Sequence, residues 1–296
     1  MRPNTVVTRL VEEGGRILAV EAVDRTSGEA LHFAGDRVIL SAGALASPHL
    51  LLASGLERLN PAGHLVGRNL MRHCNAFVYG VFASPPDPGR RHHKQIAIHD
   101  FYLGDPGADG APAGKLGNIQ QVMTPQTGAA LRWTAGMRVG GAVQRALAPL
   151  IRFGTRHLTG LQVIAEDQPR AENRVEVDWS RADRFGLPAP IVVHEYSERD
   201  LAARAALVRR ATEVLREAGA RRTFPYNVTT FSHAVGSVRM GSDPATAPLD
   251  EECRFRGVEN LYVVDGSFMP TSSGVNPSLT IAANALRVGA AMTKGG

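Results

Sequence analysis

Alternating and clustered β-branched residues dominate the first forty positions of the chain, with glycine-containing turns between them. Such runs are typical of strands and predict a β-rich unit from Thr5 onwards. The three runs are TVVTRLVEE, RILAVEAVDR and EALHFAGDRVIL. The last one leads through Ser41-Ala42-Gly43 into SPHLLLASGL, which predicts a helix that ends at Gly55. A strand, a small-residue turn and a helix are the general form of a nucleotide-domain crossover, although any α/β protein contains such units.

The pattern changes between Cys74 and Phe224. NAFVYGVFAS predicts a strand, a Pro-rich basic loop follows it, and GDPGADGAPAGKLG predicts a long loop or lid. The Ala-, Leu- and Arg-rich stretch 142–159 predicts a helix on the substrate side. GLQVIAEDQPRAENRVEVDWS predicts two strands interrupted at Pro169, and DRFGLPAPIVVHEYS predicts another. This region is therefore expected to pack helices on a mainly antiparallel sheet.

The C-terminal third contains a strand between two helices. Ser197 is followed by acidic residues, a periodic apolar face and finally Gly219, which predicts a capped helix. LYVVD, ending at Asp265, is a short apolar run typical of a buried strand. Asn276 precedes Pro277, a residue suited to the first turn of a helix. The amides of that helix start can face an electron-rich or anionic group.

Composition excludes several classes of protein. Apolar content of 44% and charged content of 21% are ordinary for a globular protein. The net charge of +5 comes from scattered residues and from the run Arg90 to Lys94, which is typical of a solvated loop and has no nucleic-acid module beside it. No apolar run is long enough to span a bilayer. Cys74 and Cys253 lack metal-ligand spacing, so no metal site is expected.

Two residues are candidates for chemistry at the C-terminal helix start. His233, on the segment FSHAVGSVRMG, could supply a base to the place where Asn276 precedes the helix. Taken singly, such a histidine is more often a structural hydrogen-bonding group, and such an asparagine is usually only a cap. Glu166 and Asp167 could pass for a catalytic carboxylate pair, but adjacent strand residues point to opposite faces, so they are assigned to structure.

Long ordered segments resemble the glucose-methanol-choline (GMC) family of FAD-dependent oxidoreductases. HAVGSVRMG followed by GVENLYVVDGSFMPTSSGVNPSLTIAANALR resembles the C-terminal signature of that family. GALASPHLLLASGL resembles a second GMC signature, and HLVGRNLMRH resembles the segment that leaves the flavin domain. QVIAEDQPRAENRVEVD with FGLPAP is similar to the bacterial branch that includes gluconate- and glucoside-oxidising dehydrogenases.

The resemblance implies oxidation of a CH–OH group by hydride transfer to FAD. His233 matches the family position that manages the hydroxyl proton, and Asn276 matches the partner position that orients the oxygen. His73 is assigned a structural role. The resemblance implies the following flavin-proximal residues, with Arg68 beside them: Gly43, Ala44, Gly67, Asn69, Asp265, Gly266, Asn276 and Pro277. The implied substrate is a sugar, sugar acid or glycoside, with a simpler alcohol as the alternative.

The family's N-terminal dinucleotide fingerprint is the main departure from the pattern. No GxGxxG follows a strand and opens a helix here, which also disfavours a nicotinamide-dependent enzyme. We therefore expect an α/β fold with an incomplete FAD-binding, Rossmann-like domain and a substrate domain. The expected division is 1–74 for the partial FAD domain, 75–224 for the substrate domain and 225–296 for the catalytic C-terminal segment.

The missing fingerprint leaves two hypotheses open. The chain is either the catalytic portion of an enzyme completed by an N-terminal half, or a non-catalytic remnant that acts as a binding or assembly module. An electron-accepting subunit is a further expected partner, and the electron acceptor itself stays open. MRPNTVVTRLVEEGG has no signal-peptide pattern, so the cytoplasm is the default expectation, and the periplasm follows if an absent N-terminus carries an export signal.

Overall fold

The computed structural model describes residues 1–89, 94–104, 110–122, 128 and 141–294. The β-rich unit predicted at the start of the chain is an antiparallel sheet in the order β1-β2-β3, with a hairpin turn at Gly14 and Gly15. Leu10 and Ile17 point into the core beneath it. Its strands are β1 (Thr5–Glu13), β2 (Arg16–Asp24) and β3 (Ala30–Phe33).

The predicted crossover is present, with an earlier helix start than expected. Strand β4 (Val38–Leu40) leads into helix α1 (Gly43–Ala53), which contains Pro48. A proline has no N–H for the carbonyl four residues before it, and that carbonyl, on Ala44, accepts a hydrogen bond from Ser237 Oγ at 2.7 Å instead. The distant side chain therefore lets the helix begin at Gly43. Strand β14 (Leu261–Val263) pairs with β4 in parallel.

A five-stranded antiparallel sheet forms the centre of the middle region. Its strands are β5 (Cys74–Val81), β6 (Ala97–Ile98), β9 (Gly117–Val122), β10 (Leu158–Ala165) and β13 (Arg222–Asn227). They lie in the order β13-β5-β10-β9-β6, and we call this sheet the central sheet. Helix α3 (Glu198–Glu217) covers one face and begins with a capping box between Ser197 and Asp200, as its sequence predicts.

Two further strand pairs and two further helices belong to the described chain. The small strands β7 (Leu103–Gly104) and β8 (Gly114–Lys115) pair, as do the longer strands of a hairpin, β11 (Arg174–Ala182) and β12 (Pro188–Val193). The remaining helices are α2 (Gly141–Arg156) and α4 (Ser278–Lys294). The helix predicted over 142–159 ends at Arg156 because β10 takes up the following residues. The two strands predicted around Pro169 belong to different sheets.

Two hydrophobic cores hold these elements. One lies under β1, β2, α1, β14 and α4, around Leu51, Phe255 and Leu261, and the other lies between the central sheet and α3, around Val78 and Leu207. The predicted domain boundaries at residues 74 and 225 stay predictions, and the second falls inside β13. The basic run at residues 90–93 and part of the predicted lid, residues 105–109, lie outside the described residues.

The fold class is an α/β architecture with mostly antiparallel sheets, as the sequence predicts. The parallel pair β4–β14 is the element that resembles a nucleotide-binding domain. Within the described ranges, no helix combines the length and the apolar character needed to cross a bilayer.

Candidate active site

Three separate segments meet in one backbone layer and bring the predicted site residues together. The segment 235–240 lies in the middle. On one side, Met71 and Val235 exchange backbone hydrogen bonds of 2.9 Å, and Gly67 donates to the Ser237 carbonyl at 2.8 Å. On the other side, Gly236 donates to the Gly266 carbonyl at 3.0 Å. The segments that carry Gly67, His233 and Asp265 therefore form a single unit.

Close packing explains the glycines of this layer. Gly236 has a φ of 90°, and a Cβ there would collide with Met71 Cε and the Asn69 carbonyl. Gly67 has a φ of 84°, and a Cβ there would collide with the Val175 carbonyl. A side chain at either position would force the layer apart. These constraints fix the backbone that leads to His73 and His233.

His73 and His233 form a hydrogen-bonded pair. Their Nδ1 atoms lie 2.9 Å apart, and the rings meet edge to face with centroids 5.1 Å apart. The other nitrogen of His73, Nε2, lies 2.9 Å from the Ser272 carbonyl oxygen. His73 is buried and His233 is half-buried, and no partner for His233 Nε2 is found among the described residues. His73 thus connects His233 to the loop that leads to Asn276.

Both histidines have backbone conformations that non-glycine residues rarely adopt. The φ of His73 is 59° and that of His233 is 57°, and Ser273 and Asn69 nearby are also in the left-handed region. Such strain persists only where the surroundings over-determine it, and it concentrates at functional sites. The backbone is held so that both rings face each other.

The surroundings keep both imidazoles neutral. Desolvation by burial lowers the pKa of His73, although the Ser272 carbonyl and the nearby Asp167 carboxylate act in the opposite direction. Desolvation also lowers the pKa of His233, to about 4, with further lowering by His73 and Lys94. A histidine with such a pKa is unprotonated at neutral pH and has a lone pair available for a proton.

Asp167 anchors the histidine segment. Its carboxylate accepts hydrogen bonds from the backbone N–H groups of Arg72, at 2.8 Å, and His73, at 3.0 Å. Its own carbonyl accepts from Ser272 Oγ at 3.1 Å. Glu166 and Asp167 follow the end of β10 and are not strand residues, contrary to the reason given for their assignment from sequence. The Asp167 carboxylate binds backbone N–H groups, and the structural role of the two residues stays a prediction.

Asn276 lies at the start of α4 and contacts the central sheet. Gln120 Nε2 donates to Asn276 Oδ1 at 2.7 Å, and within the described ranges no acceptor is found for the Asn276 amino group. Pro277 immediately precedes the first residue of the helix, and its carbonyl accepts from the Ile281 N–H at 3.0 Å. Gln120 was not among the residues predicted from the sequence. Its position on a β9 face could be read from strand alternation, but its partner lies 156 residues away in the chain.

The predicted flavin-proximal residues near α1 form hydrogen bonds with other groups of the protein. The Asp265 carboxylate accepts hydrogen bonds from the Gly43 N–H at 3.0 Å, from Ser47 Oγ, and from the N–H and Oγ of Ser267. A negative charge at the start of α1 also complements the helix dipole. Asp265 therefore links β14 to α1, while the Ala44 carbonyl accepts a hydrogen bond from Ser237 Oγ. A direct flavin contact by Gly43, Ala44 or Asp265 stays a prediction.

Asn69 has a donor that a bound flavin could use, whereas Gly266 packs against the protein itself. The Asn69 side chain is buried, and its Nδ2 has no acceptor in the described part of the chain, which is the state expected of a donor aimed at a ligand. A Cβ added at Gly266 would lie only 3.0 Å from the Ala234 carbonyl oxygen, so this backbone passes close beside the residue that follows His233. Arg68 instead donates to the carbonyls of His64 and Ala171.

The central sheet presents a second face, opposite α3, that carries aromatic and amide side chains. Phe77 and Tyr79 of β5 stack with ring centroids 6.0 Å apart, and the Tyr79 ring lies over Gly160. Gln162 lies opposite Phe77, and Gln120 lies opposite Gln162. Gln120 reaches Asn276, so this face, which we call the amide–aromatic face, borders the site.

Comparisons with known proteins identify the family. Two GMC oxidoreductase models match, the N-terminal one over residues 1–75 and the C-terminal one over residues 169–285. The chain is 30% identical to the 6'''-hydroxyparomomycin C oxidase of Streptomyces lividus over 95% of this chain and 49% of that protein. It is 28% identical to the fructose dehydrogenase large subunit of Gluconobacter japonicus over 96% of this chain and 52% of that protein.

The fold is shared with solved structures. Pyridoxine 4-oxidase from Mesorbium loti superposes with a TM-score of 0.62 at 19% identity, covering 95% of this chain and 55% of that one. The chain thus spans about half the length of the curated relatives it matches. Together with the ordered signature segments of the site, the two matching regions confirm the family and the cofactor FAD predicted from the sequence: the chain belongs to the GMC oxidoreductases.

Proposed function

We infer that this chain carries the catalytic portion of an enzyme that oxidises an alcohol group of a sugar or sugar derivative, with His233 as the base. The observation that carries this inference is the neutral, half-buried His233, whose Nε2 has no partner in the described residues. His73 binds both His233 and the Ser272 carbonyl, four residues before Asn276. His73 therefore connects the proposed base, His233, with the loop that carries the orienting amide of Asn276.

Oxidation of an alcohol releases a hydride and the hydroxyl proton, and the proton requires a base. FAD, when bound, supplies the acceptor for the hydride that leaves the carbinol carbon. The hydroxyl proton goes to His233 Nε2, which is unprotonated because burial lowers its pKa to about 4. Asn276 Nδ2 donates a hydrogen bond to the substrate oxygen, because its Oδ1 is already held by Gln120. Asn69 Nδ2 is the buried donor that would contact the flavin.

A sugar substrate is supported by the amide–aromatic face and by the relatives. Phe77 and Tyr79 offer stacked apolar surface, and Gln162 offers amide hydrogen bonds, which is the combination that recognises a polyhydroxylated ring. Relatives include a paromamine 6'-oxidase, a C-glycoside 3-oxidase and a fructose dehydrogenase large subunit. A simpler alcohol is the alternative, since a 2-methyl-1,2-propanediol dehydrogenase also matches.

A dinucleotide-binding segment completes the FAD site. The parallel pair β4–β14 consists of two short strands, whereas parallel sheets are normally covered on both faces and built from several strands. On α4, Leu279 and Leu286 are 81% and 76% exposed, on the opposite side from the face that packs into the core. The sequence contains no GxGxxG after a strand. We assign this exposed surface to the segment that holds the adenosine and pyrophosphate of FAD.

The missing fingerprint also favours a second candidate function, that of a non-catalytic binding or assembly module. Both candidates are tested by measuring flavin absorbance and sugar-dependent flavin reduction for the chain alone and with the N-terminal half of a family member. The enzyme proposal expects flavin retention by the pair and reduction by sugar that His233→Ala and Asn276→Ala abolish. His32→Ala, on exposed β3, is the matched control. A stable chain that never retains flavin would leave the module as the function.

A further inference from the structure

The hydrogen bonds of His73 determine where its proton lies. Its Nε2 faces the Ser272 carbonyl oxygen at 2.9 Å, and a carbonyl can only accept, so Nε2 carries the hydrogen. A neutral imidazole has one N–H donor, and therefore His73 Nδ1 is an acceptor. The atom facing it at 2.9 Å is His233 Nδ1, which must donate. The neutral pair thus has one consistent arrangement of protons.

We propose that His73 is a positioning residue that fixes His233 as its Nδ1–H tautomer and so presents His233 Nε2 as an unprotonated base. Without this partner, an imidazole can place its hydrogen on either nitrogen, and the Nε2–H form has no lone pair for the substrate proton. The tautomer is set by the hydrogen bond that the other ring nitrogen makes. Its catalytic importance rests on the proposed function, whereas the tautomer itself does not.

The rest of the structure is arranged to hold His73 rigidly. The Asp167 carboxylate accepts from its backbone N–H at 3.0 Å, and Tyr196 Oη donates to its carbonyl at 2.8 Å. The residue is 1% exposed, which excludes water as a competing partner for Nδ1. These contacts hold His73 at a φ of 59°, where the ring meets both His233 and the Ser272 carbonyl. A residue needed only to fill space would not require this backbone conformation.

Nitrogen NMR of protein with ¹⁵N-labelled histidine tests the proposal directly. Two-bond ¹⁵N–¹H correlation at neutral pH distinguishes the two tautomers of each ring, in the chain as purified and in its flavin-loaded complex. We expect a protonated Nδ1 and an unprotonated Nε2 for His233, and the reverse for His73. A His233 ring that carries its hydrogen on Nε2 would overturn the proposal, whatever the activity of the protein.

Two variants of His73 separate positioning from packing. His73→Phe keeps a ring but offers no acceptor, so His233 should shift towards the Nε2–H form, with roughly a 10-fold loss of turnover and little change in KM. His73→Asn tolerates the left-handed backbone, and its Oδ1 replaces Nδ1 as the acceptor. It should therefore restore the Nδ1–H form of His233 and most of the turnover, even if Phe at this position lowers stability.

The outcomes separate this proposal from the proposed function. An unchanged His233 tautomer in the His73→Phe variant, provided that it is folded, would refute the positioning role. The expected tautomers in a protein that oxidises no alcohol would leave the positioning role intact and remove the proposed activity. His32→Phe, a ring replacement on exposed β3, is the control that should alter neither the His233 signals nor turnover.

Discussion

Gln120 donates to Asn276 at 2.7 Å, and this contact joins the amide–aromatic face of the central sheet to the start of α4. Gln120 is 9% exposed, so few waters compete for its amide. Because Asn276 Oδ1 accepts this bond, its Nδ2 is the group that meets the substrate oxygen in the proposed reaction. The proposed substrate face and the proposed catalytic residue Asn276 are therefore connected through one amide pair.

Replacing Gln120 with leucine should release the Asn276 amide. The variant keeps the side-chain volume but loses one buried hydrogen bond, worth about 1 kcal/mol. We expect kcat/KM for the sugar to fall roughly 5- to 10-fold, with most of the loss in kcat because orientation of the oxygen is lost. Stopped-flow reduction of the flavin measures this change.

Gln121→Leu is the matched control for this experiment. Gln121 follows in the same strand, and its side chain lies on the opposite face, where it lines a separate cavity. If Gln121→Leu lowered kcat/KM as much as Gln120→Leu, any glutamine-to-leucine substitution in β9 would impair the enzyme. The contact with Asn276 would then have no special role.

The local elements of this fold were predictable from sequence, and the contacts of the site were not. The cap at Ser197, the β14 run ending at Asp265 and the helix after Pro277 are encoded within a few residues each. The start of α1 was placed too late because Pro48 is tolerated through Ser237, which lies far away in the chain. His233 and Asn276 were predicted as site residues from an ordered family pattern, and their catalytic roles are those proposed above.

His73 illustrates what a linear pattern leaves out. From sequence it is one histidine after a basic residue, and its assigned role was structural. Its partner His233 is 160 residues away, and the Ser272 carbonyl carries no side-chain signal at all. Only the assembled backbone shows that one ring bridges the two segments. The same applies to Asp167, whose carboxylate binds backbone groups that no sequence motif displays.

On the acid side of the pH profile, the enzyme should lose activity only at an unusually low pH. Burial lowers the pKa of His233 to about 4, so the base stays neutral as the pH falls from 7 to about 5. We expect kcat/KM to decline only near pH 4, whereas an ordinary histidine would titrate near 6.5. A profile measured over short times, with an acid midpoint near 6.5, would contradict the buried environment of His233.

The stability of the folded protein should decrease as the pH falls, because of the same two histidines, His73 and His233. In the unfolded chain His73 and His233 take up protons below about pH 6.5, whereas in the folded protein their pKa values are lowered by burial. The unfolded state therefore binds more protons between about pH 6.5 and 4, and stability present above 6.5 is lost as the pH falls through this window. Thermal unfolding of the His233→Gln variant should show a smaller decrease of Tm across that range than the unsubstituted protein.

The amide–aromatic face should govern affinity for sugars. Truncating Tyr79 to alanine removes a ring that stacks on Phe77 and covers Gly160. A stacking contact contributes about 1 kcal/mol, so KM for a sugar should rise roughly 5-fold while KM for a small aliphatic alcohol stays nearly constant. Trp179→Ala, an exposed aromatic on β11, is the control. Equal effects on both substrates would argue against recognition of a sugar ring by this face.

Asp265 should matter for the stability of the unit formed by β4, β14 and α1. The substitution Asp265→Asn puts an amino group where Gly43, Ser47 and Ser267 all donate, and it removes the charge at the start of α1. We expect a loss of about 2 kcal/mol of unfolding free energy, visible as a Tm lower by roughly 5 °C. Asp243→Asn, in an exposed turn, should change Tm little because asparagine supports the same turn.

The exposed leucines of α4 should control association with the dinucleotide-binding segment. Leu279 and Leu286 are seven residues apart, so they lie on the same face, while Ile281 and Val288 point into the core. Burial of one leucine contributes about 1.5–3 kcal/mol. Leu279→Glu and Leu286→Glu should each weaken binding of the N-terminal half of a family member at least about 10-fold, and should reduce flavin retention in parallel.

Leu201→Glu, a 40% exposed leucine on α3, is the matched control. Undiminished binding by both α4 variants would place the interface elsewhere, and a shift from dimer to monomer by size-exclusion chromatography would instead identify a second copy of this chain as the occupant of the face.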